Sequence, residues 1–556
     1  MKGYGNREGD RMDLRMKIIN NTEVHICMKK VDQTKMTRKK PWLPWAIAGG
    51  CAACFGLGLL IAMALPAGNS NGSSKELAKF EEAYGILKND WYYAKDDEDI
   101  DSRLIEQALG GMTSLEEDRH TNYFSLEQAQ AFKDSLAGSN VGIGVSFYPG
   151  DDGQMIVKEV YVNSTADRAG IEPGDEIIRV GDKEAGSLST DELVEYIKSH
   201  DGKSLDLQVR RGDETLDLNV TPGTFDSTVS ERVIDNVGII DLSSFSADSG
   251  KDFTDAIGRV QKEGVKYLVL DLRNNTGGYL SAAEQIASSF LPDDTTIFIE
   301  DLKDGTQKTL KTDKKYAQID FDHIYILQNG NTASASEVLI GALKDNMPDK
   351  VTTIGTNTYG KGTEQVTVPF DDGTSLKYTI AQWLTPNGTS INKVGFKPDV
   401  EVMEDEVSTV GYAPLGEEDV LSIGPDTVAP NAAAVQVYLR YLGYPAERSD
   451  TYFSLASSEA LKQFQSDNGL EPTGIVDNAT FEKLLEVVGR RLNADAANDK
   501  ALNMALEIIR NGGMLPAQEN QEASSQDSGQ DGESGQGDDE NAQSQEEHTI
   551  DEQPVE

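Results

Sequence analysis

From Val237 onward the chain alternates two kinds of apolar pattern, and few architectures accommodate that alternation. Val237 to Leu242, Tyr267-Leu268-Val269-Leu270-Asp271-Leu272 and Ile324 to Leu327 are short, nearly continuous apolar runs, the pattern of strands buried on both faces. Between them, Ser249 to Glu263 and Ala282 to Phe290 have helical spacing. Such βαβ grammar predicts an α/β core around a mostly buried sheet. The strand ending at Leu327 runs into Asn329-Gly330-Asn331-Thr332-Ala333-Ser334-Ala335-Ser336-Glu337 and then into the amphipathic Val338 to Leu343. A serine is thus delivered at a helix start with little side-chain bulk around it. Backbone N–H groups there favour negative charge, and small neighbours let a substrate carbonyl approach. Taken alone, the stretch reads equally well as a Ser-rich helix cap.

Its companions point to chemistry. Lys361 lies between Gly360 and Gly362, in a turn after the strand-like Val351-Thr352-Thr353-Ile354, and Gln365 falls four residues later. Ser334-Ala335-Ser336-Glu337, Gly360-Lys361-Gly362 and Gln365 together resemble the carboxy-terminal processing proteases, S41-type serine peptidases that use a Ser/Lys pair. The resemblance implies Ser334 as nucleophile, Lys361 as general base and Gln365 as the residue that orients the lysine. The loop between the motifs is slightly longer than the family's, which leaves Ser336 as the alternative nucleophile. Arg273-Asn274-Asn275-Thr276-Gly277-Gly278 resembles the family turn that supplies one oxyanion donor. Mapped here, the donors are the N–H groups of Gly278, with Gly277 as the alternative, and Ala335. Gly395-Phe396-Lys397-Pro398-Asp399-Val400 resembles the family's closing motif. Asp118-Arg119-His120-Thr121 resembles an architectural stretch in which proline usually stands at the place of Arg119. The likeness spans roughly residues 80–403 and implies a ClpP/crotonase-like protease core.

A serine hydroxyl needs a base within reach, and a lysine serves only if burial lowers its pKa from ~10.4 towards neutrality. A neutral amide such as Gln365 can position the amine without holding it protonated. The rival is a histidine base, for which only His120, His200 and His323 lie within the folded regions.

Residues 139–225 change to short strands with glycine turns. Val141-Gly142-Ile143-Gly144-Val145, Ala169-Gly170-Ile171-Glu172-Pro173-Gly174-Asp175 and a helix from Asp191 to Ser199 resemble a PDZ domain. This implies that Gly142, Ile143, Gly144 and Val145 bind a peptide C-terminus, the peptide adding as a strand beside Val145-Ser146-Phe147. Three helical patterns, Asn431 to Leu442, Ser457 to Asn468 and Asp477 to Val488, resemble the small three-helix peptidoglycan-binding domain, and a protein-docking domain would show the same periodicity. A further helix is expected from Asp495 to Ile509.

Leu43 to Leu65 carries no charge and is long enough to cross a bilayer, and Lys35, Arg38, Lys39 and Lys40 precede it. The positive-inside rule then places the bulk of the chain outside the cytoplasm. A cleaved signal peptide is the competing reading. The net charge of −43 argues against nucleic-acid partners. All three cysteines precede residue 60, so the rest of the fold is independent of redox state. After Arg510 there are thirteen Asp or Glu and no Lys or Arg, a composition that cannot bury a core.

The expected organisation is multidomain. It comprises a cytoplasmic N-terminus (1–41), one transmembrane helix (42–65), N-terminal protease helices (75–136), an inserted PDZ β-barrel (137–225) and the α/β protease core (226–403). A linker (404–427), a three-helix peptidoglycan-binding-like domain (428–490), a C-terminal helix (491–515) and a disordered acidic tail (516–556) follow. The expected function is a membrane-anchored serine endopeptidase acting on proteins with unstructured C-termini, tethered to peptidoglycan and needing no metal or organic cofactor. Its oligomeric state stays open. The rivals are an inactive scaffold that binds C-terminal tails and peptidoglycan, and a crotonase-like enzyme acting on small thioesters.

Overall fold

Strands that are apolar on both faces need cover on both sides, and the α/β core supplies it with helices from distant parts of the chain. The computed structural model describes residues 75–95, 97–150, 154–316, 319–413, 420–494 and 499–514. The segments read as a cytoplasmic N-terminus (1–41), a membrane helix (42–65) and an acidic tail (516–556) lie outside the described residues. Among those described, no helix is long and apolar enough to cross a membrane.

The described residues before α2 belong to a unit of their own, in which α1 (Lys75–Asn89) is followed by a short helical turn at Tyr92–Ala94. The second unit begins with α2 (Ile100–Thr113), β1 (Asn122–Phe124) and α3 (Leu126–Ala137), the last started by a capping box between Ser125 and Gln128. The PDZ region then contributes β2 (Ser139–Gly142), β3 (Val145–Pro149), β4 (Met155–Val160), α4 (Thr165–Ala169), β5 (Glu176–Val180), β6 (Lys183–Glu184), α5 (Thr190–Lys198), β7 (Leu205–Arg211), β8 (Glu214–Val220) and β9 (Gly223–Asp226). Its sheet runs β3-β4-β5-β7-β8, with β6 on β5, around Val157, Ile177, Leu193, Leu207 and Val209. Strands β2 and β9 pair antiparallel, so the chain enters and leaves this domain side by side, as an insertion requires. The strand expected to receive a peptide, β3, is the outer strand of its sheet.

The core follows with β10 (Val229–Ile234), β11 (Val237–Leu242), α6 (Ser249–Lys262), β12 (Tyr267–Asp271), α7 (Leu280–Phe290), β13 (Thr296–Leu302), β14 (Gln307–Lys311), β15 (His323–Gln328), α8 (Ala335–Asn346), β16 (Val351–Gly355), β17 (Thr363–Pro369), β18 (Ser375–Leu384) and β19 (Val400–Glu401). The main sheet has the order β10-β11-β12-β15-β16-β19 and is parallel except for the β10–β11 pair. Helices α6, α7 and α8 cover one face, burying Phe253, Ile257, Ile286, Leu339 and Leu343 against Ile240, Leu268, Leu270 and Ile326. An antiparallel sheet, β1-β18-β13-β14 with β17 on β18, stands beside it and carries the segment around Gln365.

Beyond the core come α9 (Glu406–Thr409), β20 (Thr427–Val428), α10 (Ala432–Tyr441), β21 (Tyr452–Phe453), α11 (Leu455–Asp467), α12 (Asn478–Ala494) and α13 (Lys500–Arg510). Helices α10 to α12 pack around Val435, Leu439, Leu461, Phe464, Phe481 and Leu484. The stretch read as a linker, 404–427, differs from that expectation. Val407 and Ile423 are buried in this helical core, and Ile423 bridges to Val476. Their apolar side chains lay hidden in an acidic sequence context. Helix α13 does not extend the helical domain but lies on the second face of the protease sheet. There Leu502, Ala505, Leu506, Ile508 and Ile509 meet Ile239, Val269, Tyr325, Leu327 and Ile354.

Candidate active site

Ser334 sits at the junction of β15 and α8. An ordinary helix cap has an extended backbone. Ser334 instead has φ 58° and ψ −118°, in the positive-φ region that disfavours a residue with a side chain, at a cost of order ~1–3 kcal/mol. Non-glycine residues held there cluster at functional sites, so the backbone separates this serine from a plain cap. Ser336, the alternative nucleophile, is fully buried and its Oγ donates to the Asn275 carbonyl at 2.9 Å. Ser334 is half-buried.

The Arg273–Gly278 turn packs directly on this serine. A Cβ on Gly277 would lie 2.8 Å from Ser334 Cβ, so only glycine fits. The Ala333 N–H donates to Asn275 O at 3.0 Å, tying the turn to the serine loop. Gly277 N–H is committed to Asn275 Oδ1 at 2.9 Å, whereas the N–H groups of Gly278 and Ala335 donate to no protein acceptor among the described residues. Of the two glycines weighed from sequence, Gly278 is therefore the one with a free donor.

The serine and lysine loops are joined through a residue to which the sequence assigned no role. Glu337, in the first turn of α8, is fully buried. Its Oε2 accepts from Ser334 N–H (3.0 Å) and Lys361 N–H (2.8 Å), and its Oε1 from Gly360 N–H (2.7 Å) and Thr358 Oγ1 (2.6 Å). Four donors satisfy a buried carboxylate that would otherwise be prohibitive, and the helix N-terminus adds favourable charge. Thr358 Oγ1 also accepts from Phe396 N–H (2.7 Å), which brings the closing Gly395–Val400 segment into the same network. Replacing Glu337 with Gln sets an NH2 group against two of the four donors, each unmet donor costing ~1–3 kcal/mol. Thermal melts should show marked destabilisation, and peptide hydrolysis should fall by at least about tenfold as the two loops lose their common anchor.

Lys361 is largely enclosed. Desolvation, helped by the nearby Lys377 charge and opposed by Glu337, lowers its pKa below the ordinary lysine value. Its carbonyl accepts from Trp383 Nε1 at 3.0 Å, fixing the Gly-Lys-Gly turn. Gln365 differs from the sequence expectation. Its Nε2 donates to the hydroxyls of Thr363 (2.9 Å) and Thr379 (3.1 Å), and no hydrogen bond joins it to Lys361. A register shift between Glu364 and Gln365 in the β17–β18 pair sets the direction of its side chain.

The stretch read as architectural also reaches this region. Thr121 Oγ1 donates to Asp118 (2.6 Å) and accepts from Thr379 N–H (3.1 Å). Desolvation first, and the Lys361 charge second, lower the His120 pKa against the opposing pull of Asp118. Nothing in its spacing signals this, since a Thr-flanked histidine beside a polar turn is common. His200, by contrast, bonds to Tyr196 O in the PDZ region, and His323 to Thr352. Of the PDZ glycine-turn residues, Ile143 is buried in that domain's core, with Gly142 ending β2 and Val145 opening β3.

An α/β core with a strained serine at a helix start and a PDZ insertion defines a class of serine peptidase. Residues 236–402 match peptidase family S41, 156–211 match the PDZ domain, and 428–484 match the family described as "Putative peptidoglycan binding domain". The "Probable CtpA-like serine protease" of Staphylococcus aureus (strain COL) is 34% identical over 440 residues, covering 79% of this chain and 86% of that protein. The protein of the same name from Staphylococcus haemolyticus (strain JCSC1435) is 30% identical over 444 residues, covering 80% and 87%. Among solved structures, a photosystem II D1 C-terminal processing protease aligns with 24% identity and a TM-score of 0.35, over 60% of this chain and 94% of that one. The chain belongs to peptidase family S41 and is a serine peptidase.

Proposed function

We propose that this peptidase is a membrane-anchored endopeptidase of the cell envelope, which takes protein C-termini on its PDZ domain and cleaves them with Ser334 and Lys361. The observation that carries the reading is the shared anchor: Ser334 N–H and Lys361 N–H converge on one oxygen of buried Glu337, and the lysine so placed is desolvated. In this reading Ser334 Oγ attacks the scissile carbonyl carbon as Lys361 Nζ takes its proton. The C–O bond forms, and the carbonyl electron pair moves to an oxyanion received by the Gly278 and Ala335 N–H groups. Collapse breaks the C–N bond, and the lysine ammonium gives its proton to the leaving amine. Water, activated by the same lysine, then releases the acyl group.

Gln365, bonded through Nε2 to two threonines, keeps its Oε1 as an acceptor for the Lys361 ammonium when that charge forms. The uncharged run 43–65 with its preceding basic residues supports the anchor and the placement of the bulk of the chain outside the cytoplasm. The match at 428–484 supports a wall tether.

The test uses the full chain and a disordered protein substrate in two forms, one with a free C-terminal carboxylate and one amidated. Cleavage followed by mass spectrometry should be at least about tenfold slower for the amide, since a PDZ groove holds the terminal carboxylate on backbone N–H groups. Equal rates for the two forms would sink C-terminal capture while leaving the peptidase intact.

A further inference from the structure

The turn that carries the Gly278 donor is packed against Phe245 and Ser334 at its Gly277–Gly278 end, but its Arg273–Asn274 end borders open space. Arg273 and Asn274 line a cavity of about 300 Å³, together with Asp241, Asp271 and Gln328. The turn's position on that side therefore depends on polar bonds. Asn274 N–H donates to Asn329 Oδ1, and Asn274 Oδ1 accepts from the side-chain amides of Asn329 and Asn331, all at 3.0 Å. At the turn's head, Arg273 is gripped on two sides. Its Nε donates to both oxygens of Asp271, at 2.9 and 3.1 Å, which belongs to the same strand end. Its Nη1 and Nη2 donate at 2.8 and 2.9 Å to the two oxygens of Asp499, a residue 226 positions away in sequence.

Asp499 is itself fixed. It is the N-cap of α13 and accepts from Leu502 N–H at 3.0 Å. The helix behind it is seated on the main sheet by Leu502, Leu506, Ile508 and Ile509. A fork-to-fork arginine–carboxylate pair constrains direction as well as distance. Here it runs from a packed helix to the first residue of the turn, at the end that borders the cavity.

We infer that Asp499 is a positioning residue for the reaction: from the N-terminus of the C-terminal helix it holds Arg273, and through Arg273 the turn that presents the Gly278 N–H to the oxyanion. This rests on the assignment of Gly278 to the oxyanion and adds α13 to the catalytic core. Asp499 touches no reacting atom. Its loss lets the turn relax towards the cavity, which weakens binding of the tetrahedral state more than binding of the substrate.

The experiment compares full-length wild type with Asp499→Asn and Arg273→Lys, the latter keeping the charge but losing the fork. Lys500→Ala is the control on the same helix, since Lys500 pairs with Asp405 and not with the turn. For each variant, kcat, KM and the affinity for a peptidyl boronate are measured well below its melting temperature. Expected for Asp499→Asn and Arg273→Lys is a kcat lowered about tenfold with KM within twofold, and a boronate affinity weakened by the same factor. Lys500→Ala should match wild type, and Asp499→Glu should recover part of the kcat. Wild-type kcat in Asp499→Asn, a change confined to KM, or an equal loss in Lys500→Ala overturns the inference. If Asp499→Asn does not fold, Arg273→Lys decides by the same criteria; if neither folds, the pair is architectural and the inference fails. Ser334→Ala assayed alongside reports separately on the underlying reading, because persistent cleavage there would remove the oxyanion assignment itself.

Discussion

Ser334→Ala is expected to reduce peptide hydrolysis by on the order of 10⁴- to 10⁶-fold, the usual consequence of removing a nucleophile that acts as a unit with its base. Ser336→Ala should retain most activity and lose stability instead, because its buried Oγ serves only Asn275 O. The two variants are read with a chromogenic peptide and a thermal melt. A Ser334→Ala enzyme that still turns over at the wild-type rate would return the role to another side chain. Removing the Ser334 hydroxyl leaves the PDZ region untouched, so binding of C-terminal peptides should persist in the inactive variant, as calorimetry can show. The strained backbone at Ser334 adds a further expectation. Glycine there relieves the positive φ, so Ser334→Gly should be inactive yet more heat-stable than Ser334→Ala.

Lys361→Ala should lower kcat by on the order of 10³-fold or more, as expected when the base of a coupled pair is removed. Lys361→Arg should be no better, because a guanidinium does not give up its proton. The pH profile gives the sharper reading. A lysine base works only when neutral, so kcat/KM rises with pH through the Lys361 pKa and is lost below it. Desolvation first, and the Lys377 charge second, bring that pKa below the ordinary value, so the rising limb lies on the acid side of ~10.4. Lys377→Met removes one of the two causes and should move the limb to higher pH. His120 is the competitor, its pKa lowered by desolvation first and by the nearby Lys361 charge second. If Lys361→Ala keeps its activity while His120→Ala loses it, the proton acceptor is the imidazole.

The sequence exposed the elements whose signal is local. The mostly buried sheet of the α/β core, the helices over 249–262 and 432–441 and the serine at the start of α8 follow from apolar period and turn chemistry, and the helices appear within a residue or two of their expected bounds. Choices between neighbours were not legible, because Ser334 differs from Ser336 in backbone conformation, burial and bonding, and Gly278 from Gly277 in which partner its N–H has already bonded, none of which a motif displays. Glu337 was visible as part of a motif, yet its role depends on a loop more than twenty residues downstream turning three of its four donors towards it. The role of Gln365 came from the family resemblance, and the bulge beside it sends its amide to Thr363 and Thr379. Helix α13 showed its amphipathic period plainly. Its resting place did not show, since an apolar stripe does not say which sheet will cover it.

The location of α13 also changes what kind of attachment the peptidoglycan-binding region has. The chain leaves the protease body after β19 and returns to it at Asp499, so this region is held by two stems like the handle of a cup. A pull applied to the handle is shared between both stems, and a cut through either one leaves the region joined to the enzyme by the other.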